Sequence, residues 1–398
     1  MNPFHLSHFT ATSCLGHGLD AHHAALREQR GGLTPCQFET VRDLDTYIGE
    51  VAGIDNLNLP DALAEYDCRN NRLAWMGLRQ DGFMNAVEAA IGRHGRRRVA
   101  VLLGTSTAGV LQSEQAYRNR DPVTGALPSD FNYRTTHNAY SVADFVRNVF
   151  KLEGPAAVVS TACSSSAKVF ASAARMMQAG LIDAAIVGGV DSLCLTTLYG
   201  FNSLELLSAT PCRPFDADRS GISIGEASAF ILLERPAGSL DSDAVLLLGA
   251  GESSDAYHMS SPHPDGLGAR MAMAAALKAA GLQADAIDYI NLHGTATPSN
   301  DAAEGKAVAA LFGDRVPCSS TKGATGHTLG AAGGLEAILS ALALQQGFLP
   351  GGVNTRTIDP NIPIQYLNAN RDTAPQRVLS NSFGFGGTNC SLVLGRAG

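Results

Sequence analysis

The sequence predicts an α/β fold built twice over, and three observations carry that reading. Helical and strand-like patterns alternate along most of the 398 residues, as a sheet covered by helices requires. The alternation pauses at Glu234-Arg235-Pro236-Ala237-Gly238 and then begins again. Two pairs of segments echo one another in the same order: "VAVLLGTSTAG" with "DYINLHGTATP", and "VVSTACSSSAKVF" with "PCSSTKGATGHTLGAAGG". Each segment leads from a strand into small residues, as a repeated unit would. The expected halves are residues 1–238 and 239–398.

In the first half, a helical pattern over 82–91 leads into the apolar strand 99–103. A strand at 156–160 precedes a helix in which Ala167, Phe170, Ala171, Ala174 and Met177 share one face. Lys168, Ser172 and Arg175 fall on the other face. Gly180 supplies the stop, and strand 184–187 closes a β-α-β unit. In the second half, helix "ARMAMAAALKAAG" leads to strand "IDYINL" and helix "DAAEGKAVAALFG" to strand "VPCSS". A glycine-rich turn, a long helix ending near Gly347 and the strand "CSLVLG" complete the chain.

Composition narrows the function. Hydrophobic residues make up 45% and charged residues 17%, which fits a compact enzyme rather than a disordered chain. The 42 glycines imply many tight turns. The N-terminus lacks a signal-peptide pattern and no apolar run reaches the length of a membrane span. The eight cysteines are scattered, without CxxC pairs or zinc-site spacing, so the expected setting is a reducing cytosol without a metal centre. A net charge of −8 argues against nucleic acid as partner. An acidic partner would have to find a local basic patch.

Cys163 lies at the expected start of its helix, among small hydroxyl residues. Free N–H groups and the helix dipole there favour a thiolate and lower its pKa. A buried structural cysteine at a tight turn is the competing reading. A cysteine nucleophile needs partners, and two of the eleven histidines stand out, the others reading mostly as surface residues near the N-terminus. His293 ends a strand, where open α/β sheets present functional groups. His327 sits in a glycine-rich loop five residues after Lys322. That loop does not match a phosphate cradle, because its lysine precedes the glycines. In "NSFGFGGTN", Phe385 between glycines reads as a flap whose N–H could face a developing oxyanion, or as an ordinary hairpin turn.

Taken together, "TACSSS", "RPFDADRSGISIGEASA", "HGTATPSNDAAE", "STKGATGHTLGAAGGLEA" and "NSFGFGGTN" resemble the β-ketoacyl-acyl-carrier-protein synthases, the condensing enzymes of fatty-acid and polyketide synthesis. The resemblance runs from about residue 100 to the end of the chain. It implies a duplicated thiolase-like fold, layered α-β-α-β-α with two mixed sheets, in which the first half carries the nucleophile and the second the histidines and lysine. It implies that Cys163 accepts an acyl chain, that His293 and His327 form the histidine pair, and that Lys322 with Glu336 organises the charge around them. The N–H groups of Cys163 and Phe385 would make the oxyanion hole, and Thr295 and Thr297 would bind the pantetheine arm. Neither metal nor organic cofactor is implied, because loss of CO₂ drives carbon–carbon bond formation.

The chain also departs from the family. "NPFHLSHFTATSCLGHG" is a loose version of the usual opening strand, and "TACSSS" is closer to polyketide-type synthases. Thr107 and Tyr133, with Arg134, stand where the acyl pocket is expected and would make it more polar, as a polyene or aryl-capped chain would suit. The implied partner is an acidic acyl carrier protein, with Arg69, Arg72 and Arg213 as docking candidates and Arg96-Arg97-Arg98 as a weaker one. Glu205 stands where elongation enzymes can carry a basic residue. The implied assembly is a homodimer or a heterodimer with a chain-length-factor-like subunit. A non-catalytic partner subunit is the rival reading, and the presence of Cys163, His293, Lys322 and His327 argues against it.

Overall fold

The computed structural model describes residues 1–41 and 43–397. The first half contributes five strands to the main sheet system: β1 (Phe4–Ser13), β2 (Val99–Gly104), β3 (Ala156–Val159), β4 (Ala184–Asp191) and β5 (Ala227–Glu234). The second contributes β6 (Val245–Ser254), β7 (Tyr289–Asn291), β8 (Pro317–Ser319), β9 (Gln365–Tyr366), β10 (Arg377–Gly384) and β11 (Thr388–Arg396). In space the first set runs β3-β2-β4-β5-β1 and the second β9-β8-β7-β10-β11-β6. Setting β9 aside, β1, β2, β3, β4 and β5 match β6, β7, β8, β10 and β11 both in chain order and in sheet position. The pairing signs match as well: β2–β3 and β2–β4 are parallel, as are β7–β8 and β7–β10. The remaining neighbours are antiparallel in both sets.

Both mixed sheets expected from the sequence are present, and they share a seam. Phe4 pairs with Leu247 and His5 with Leu246 across β1 and β6, so hydrogen bonding runs without a break through all eleven strands, and the short strand Gly16–His17, paired with β1 off that path, makes a sheet of twelve. The loose opening segment forms β1, a ten-residue strand.

Eight helices frame the site. They are α1 (Arg69–Leu78), α2 (Phe83–His94), α3 (Ser141–Val149), α4 (Ser165–Gln178), α5 (Leu267–Ala280), α6 (Pro298–Phe312), α7 (Lys322–Thr325) and α8 (Ala332–Gln346). The middle layer consists of α4 and α8, which pack on each other and on strands of both halves. α4 buries the face read from the sequence and adds Val169 and Ala173. Each large apolar side chain it buries, such as Phe170 or Met177, is worth ~1.5–3 kcal/mol. α8 is buried on every side from Ala332 to Leu344, which explains why it reads as apolar all round. Outside the sheets lie α1, α2 and α3 on the first half and α5 and α6 on the second. No helix among the described residues is long and apolar enough to cross a membrane.

Candidate active site

The two middle-layer helices bring the chemistry together at their N-terminal ends. After β3 the chain turns sharply at Ala162, whose φ is +50°, and presents Cys163 just ahead of α4. A non-glycine residue in that conformation costs of order 1 kcal/mol, and the neighbouring hydroxyls hold it there. The Ser165 hydroxyl donates to the Ala162 carbonyl at 2.6 Å and accepts from the Thr161 N–H at 2.9 Å. Ser164 Oγ donates to the Thr161 carbonyl at 3.0 Å.

Cys163 Sγ and one ring nitrogen from each of His293 and His327 all lie within 4.8 Å of one another. The two rings meet edge to face, with centroids 5.2 Å apart. His293 follows β7, and its loop is held by Glu304 on α6, which accepts the N–H groups of His293 and Gly294 at 2.8 Å each. Asn381 donates to the same carboxylate at 3.1 Å. Lys322 opens α7, and its ammonium donates to His293 Nδ1 at 3.2 Å, to the His293 carbonyl at 2.6 Å and to Glu336 Oε1. The Leu329 N–H donates to His327 Nδ1 at 3.2 Å.

These contacts fix the tautomers. Each Nδ1 is an acceptor, so each neutral ring carries its proton on Nε2. Burial, with Lys322 alongside, lowers both imidazoles well below their ordinary pKa. The site therefore presents two neutral Nε2–H donors beside a thiol. Although a cysteine and two histidines could ligate a metal, a metal-bound imidazole normally donates its other N–H to an acceptor. Here the second nitrogen accepts instead, from an ammonium in one ring and an amide in the other, and that donor set does not fit a cation.

Cys163 corrects one expectation. Its thiol is pushed up to about 11 by burial, against the pull of Lys322 and of the Phe385 N–H that bonds to it. A helix end is worth ~0.3–1 kcal/mol, less than the desolvation of a buried thiolate. Burial likewise raises Glu304 and Glu336 to about 7, opposed in Glu304 by the N–H groups it accepts and in Glu336 by Lys322.

The segment read as a flap is the hairpin turn joining β10 and β11. Gly386 and Gly387 have φ of +79° and +72°. The turn is anchored by Gly386 N–H to the Met259 carbonyl at 2.7 Å and by Thr388 Oγ1 to the Thr161 carbonyl at 3.0 Å. A Cβ on Gly384 would lie 2.8 Å from the Thr161 carbonyl oxygen and 3.2 Å from the Cys163 nitrogen, so glycine lets the turn close over Cys163. The Phe385 ring packs on Phe201 with centroids 5.4 Å apart. Cys163, His293, His327, Thr295 and Thr297 line one cavity with Phe201, Phe383 and Phe385. Thr295 and Thr297 share a hydroxyl contact of 2.9 Å, and Thr297 caps α6 through the Asn300 N–H.

Other candidates lie elsewhere. Arg69 is buried, its guanidinium bonded to Glu226, Asp55 and Glu50. It balances Glu226, which also accepts the Val51 and Leu193 N–H groups, and it is not free to dock a carrier. Arg72 is paired with Asp67. Arg213 keeps partial exposure and donates to the Asp218 carbonyl at 3.0 Å. Thr107 does not line the cavity around Cys163, because its hydroxyl donates to Asp191 at 2.9 Å and accepts the Ser192 N–H. Tyr133 also lies outside that cavity, exposed and stacked on His137 with centroids 4.9 Å apart. In the basic run, Arg97 and Arg98 pair with Glu153 and Asp183. His22, one of the histidines near the N-terminus, is a core residue bonded to Ser13 and the Gly18 carbonyl.

Sequence reasoning missed two carboxylates that shape the site. Glu304 lies in a quoted motif but carried no assigned role. Asp191 accepts from the residues after β2, namely Thr105, Ser106 and Thr107, and from the Gly330 N–H. A charged residue among small and apolar neighbours was the available signal for both.

A buried thiol, two neutral imidazoles and an ammonium–carboxylate pair thus meet at the junction of two matched α/β halves. The family model for "Beta-ketoacyl synthase, N-terminal domain" matches residues 70–237, and that for its C-terminal domain matches residues 244–356. A 3-oxoacyl-[acyl-carrier-protein] synthase 2 of Synechocystis sp. is 31% identical over 96% of this chain and 95% of its own length. The mitochondrial 3-oxoacyl-[acyl-carrier-protein] synthase of Arabidopsis thaliana is 40% identical over 61% of this chain, and that match spans 57% of the plant protein. Among solved structures, the ketosynthase ApeO of Xenorhabdus doucetiae, in complex with its chain length factor ApeC, superposes with a TM-score of 0.90 at 40% identity. That match covers 100% of this chain and 98% of the other. The chain belongs to the β-ketoacyl synthase family.

Proposed function

We propose that the chain joins an acyl group held on Cys163 to a malonyl unit carried by an acyl carrier protein, releasing CO₂ and leaving a 3-oxoacyl thioester. The observation that carries this reading is the pair of Nε2–H donors, fixed by the Lys322 and Leu329 contacts, beside a thiol in one cavity.

In the first step Sγ attacks the thioester carbonyl of the acyl donor. The N–H groups of Cys163 and Phe385 stabilise the oxyanion, and the proton lost from Sγ goes to the departing carrier thiolate. In the second, the malonyl thioester loses CO₂ and the freed electron pair forms an enolate, whose oxygen accepts from His293 and His327. The enolate carbon then attacks the acyl-Cys163 carbonyl, the C–S bond breaks, and the thiolate takes up a proton from solvent. Lys322, balanced by Glu336, keeps both rings neutral and orients His293 through these steps, while the Leu329 N–H orients His327. Thr295 and Thr297 bind the pantetheine arm along the cavity wall.

We infer a carrier-protein partner docking by way of Arg213, and a dimer whose second subunit resembles a chain length factor. The second inference is supported by the full-length likeness to a ketosynthase in complex with its chain length factor and to the ishigamide ketosynthase/chain length factor, 26% identical with a TM-score of 0.89 over all of both chains. A homodimer is the alternative. The eight cysteines are free, in keeping with a cytoplasmic setting. The chain divides functionally at residues 238 and 239.

The test is intact-protein mass after exposure to a panel of acyl-carrier-protein thioesters. The wild type gains the acyl mass and Cys163→Ala does not, with condensation falling about 10⁴-fold. An acyl adduct on folded Cys163→Ala contradicts the assignment of the nucleophile.

A further inference from the structure

α7 is four residues long, far shorter than a helix that sustains itself in water. Yet Lys322 begins it, and His327 follows two residues beyond its end. The last four carbonyls of any helix lack partners within the helix; in α7 only the Lys322 carbonyl keeps a ladder partner, the Gly326 N–H that caps it, and the other three depend on donors from elsewhere in the fold. The Lys322 carbonyl accepts the Gly326 N–H at 2.8 Å and the Cys212 thiol at 3.2 Å. Gly323 accepts from Asn354 Nδ2 at 2.7 Å. Ala324 accepts the Gly32 N–H at 2.9 Å, and Thr325 accepts the Cys14 thiol at 3.4 Å.

Two of these donors are thiols that the condensation does not use. Cys212 also ties α7 to the support of His327. Its N–H donates to Ser223 Oγ at 3.1 Å, the Ser223 carbonyl accepts the His327 N–H at 2.7 Å, and the Cys212 carbonyl accepts from Asn354 Nδ2 at 3.3 Å. One residue thus touches the backbone of the lysine and, through Ser223, that of the histidine.

We infer that Cys212, assisted by Cys14, is a positioning residue for Lys322 and His327, acting as an S–H donor to the carbonyls of α7. Burial pushes the two thiols up to about 11 and about 12, so both keep the proton they donate. Only the kinetic part of the test rests on the function proposed above.

The experiment compares Cys212→Ala with Cys212→Ser in two readouts: hydrogen exchange at the Gly326 and His327 amides, and CO₂ release from malonyl-carrier protein. In Cys212→Ala, exchange at both amides rises about tenfold and kcat falls about tenfold with KM unchanged, because small displacements of catalytic groups are costly. Cys212→Ser, which keeps a donor, stays near wild type in both readouts. Equal damage in the two variants, or no damage in Cys212→Ala, overturns the inference. If Cys212→Ala does not fold, Cys14→Ala against Cys14→Ser decides on the same criteria, with about threefold effects expected. A wild type that releases no CO₂ contradicts the proposed function instead, and the exchange data still decide the positioning role.

Discussion

The two halves use matched topology for different chemistry. After β3 the first half offers Cys163, the proposed nucleophile. After the matching β8 the second offers Lys322 and, five residues on, His327. The loops after β2 and β7 diverge in the same way. Thr105 to Thr107 are drawn onto Asp191 and serve the scaffold, whereas the loop after β7 is held by Glu304 so that His293 and Thr295 face the cavity. Each loop is anchored by a buried carboxylate that accepts its backbone N–H groups. What distinguishes them is whether the loop's own side chains satisfy that carboxylate or are left over for substrate.

Four results would break or sharpen this contrast. The largest is in the second half: His293→Ala is expected to cost about 10²–10³-fold in CO₂ release, the scale of losing one oxyanion donor. Loss of Cys163 acylation to the same degree would show that the division of labour fails. In the first half, Arg69→Ala leaves the Glu226 charge buried without its partner, and chemical denaturation should show about 3–5 kcal/mol of lost stability. Arg72→Ala, removing an exposed pair, should cost ~1 kcal/mol or less. Equal effects would return Arg69 to the surface role that its sequence suggested.

The third result is a pH profile. Burial holds both imidazoles well below 6.5, so they are neutral in the folded protein as pH falls through 6.5. Because Glu304 and Glu336 are raised to about 7, the rate can vary there through the carboxylates, and the deciding readout is the rings themselves. The NMR signals of His293 and His327 should stay those of neutral imidazoles through pH 6.5, and titration of either ring near 6.5 would contradict the two-donor arrangement. The smallest effect concerns the first half's link to its partner. Arg213→Glu should raise KM for the carrier substrate a few-fold, more at low salt than at high salt, with kcat unchanged. An unchanged KM removes Arg213 from the docking surface.

Much of this was legible in the sequence because the signals were local. Helix α4 showed its faces by spacing, and Cys163, His293, Lys322 and His327 sit at strand ends or helix starts that the patterns marked. What escaped detection depends on contacts distant in sequence. Arg69 reads as a surface cation until Glu226, 157 residues away, is brought against it. Thr107 reads as a pocket residue until Asp191 takes its hydroxyl. The thiol pKa was misjudged because a helix start is visible in sequence whereas the depth of burial is not. The seam between β1 and β6 is two residue pairs long, too short to leave a pattern.

The most direct test of the central claim measures both half-reactions in Cys163→Ala and Lys322→Met: acyl mass gained from an acyl-carrier thioester, and CO₂ released from malonyl-carrier protein. The account predicts a crossed result. Cys163→Ala should gain no acyl mass yet still release CO₂, and Lys322→Met should gain acyl mass, more slowly than wild type, yet release little CO₂. If each folded variant loses both reactions together, the halves do not divide the chemistry as described.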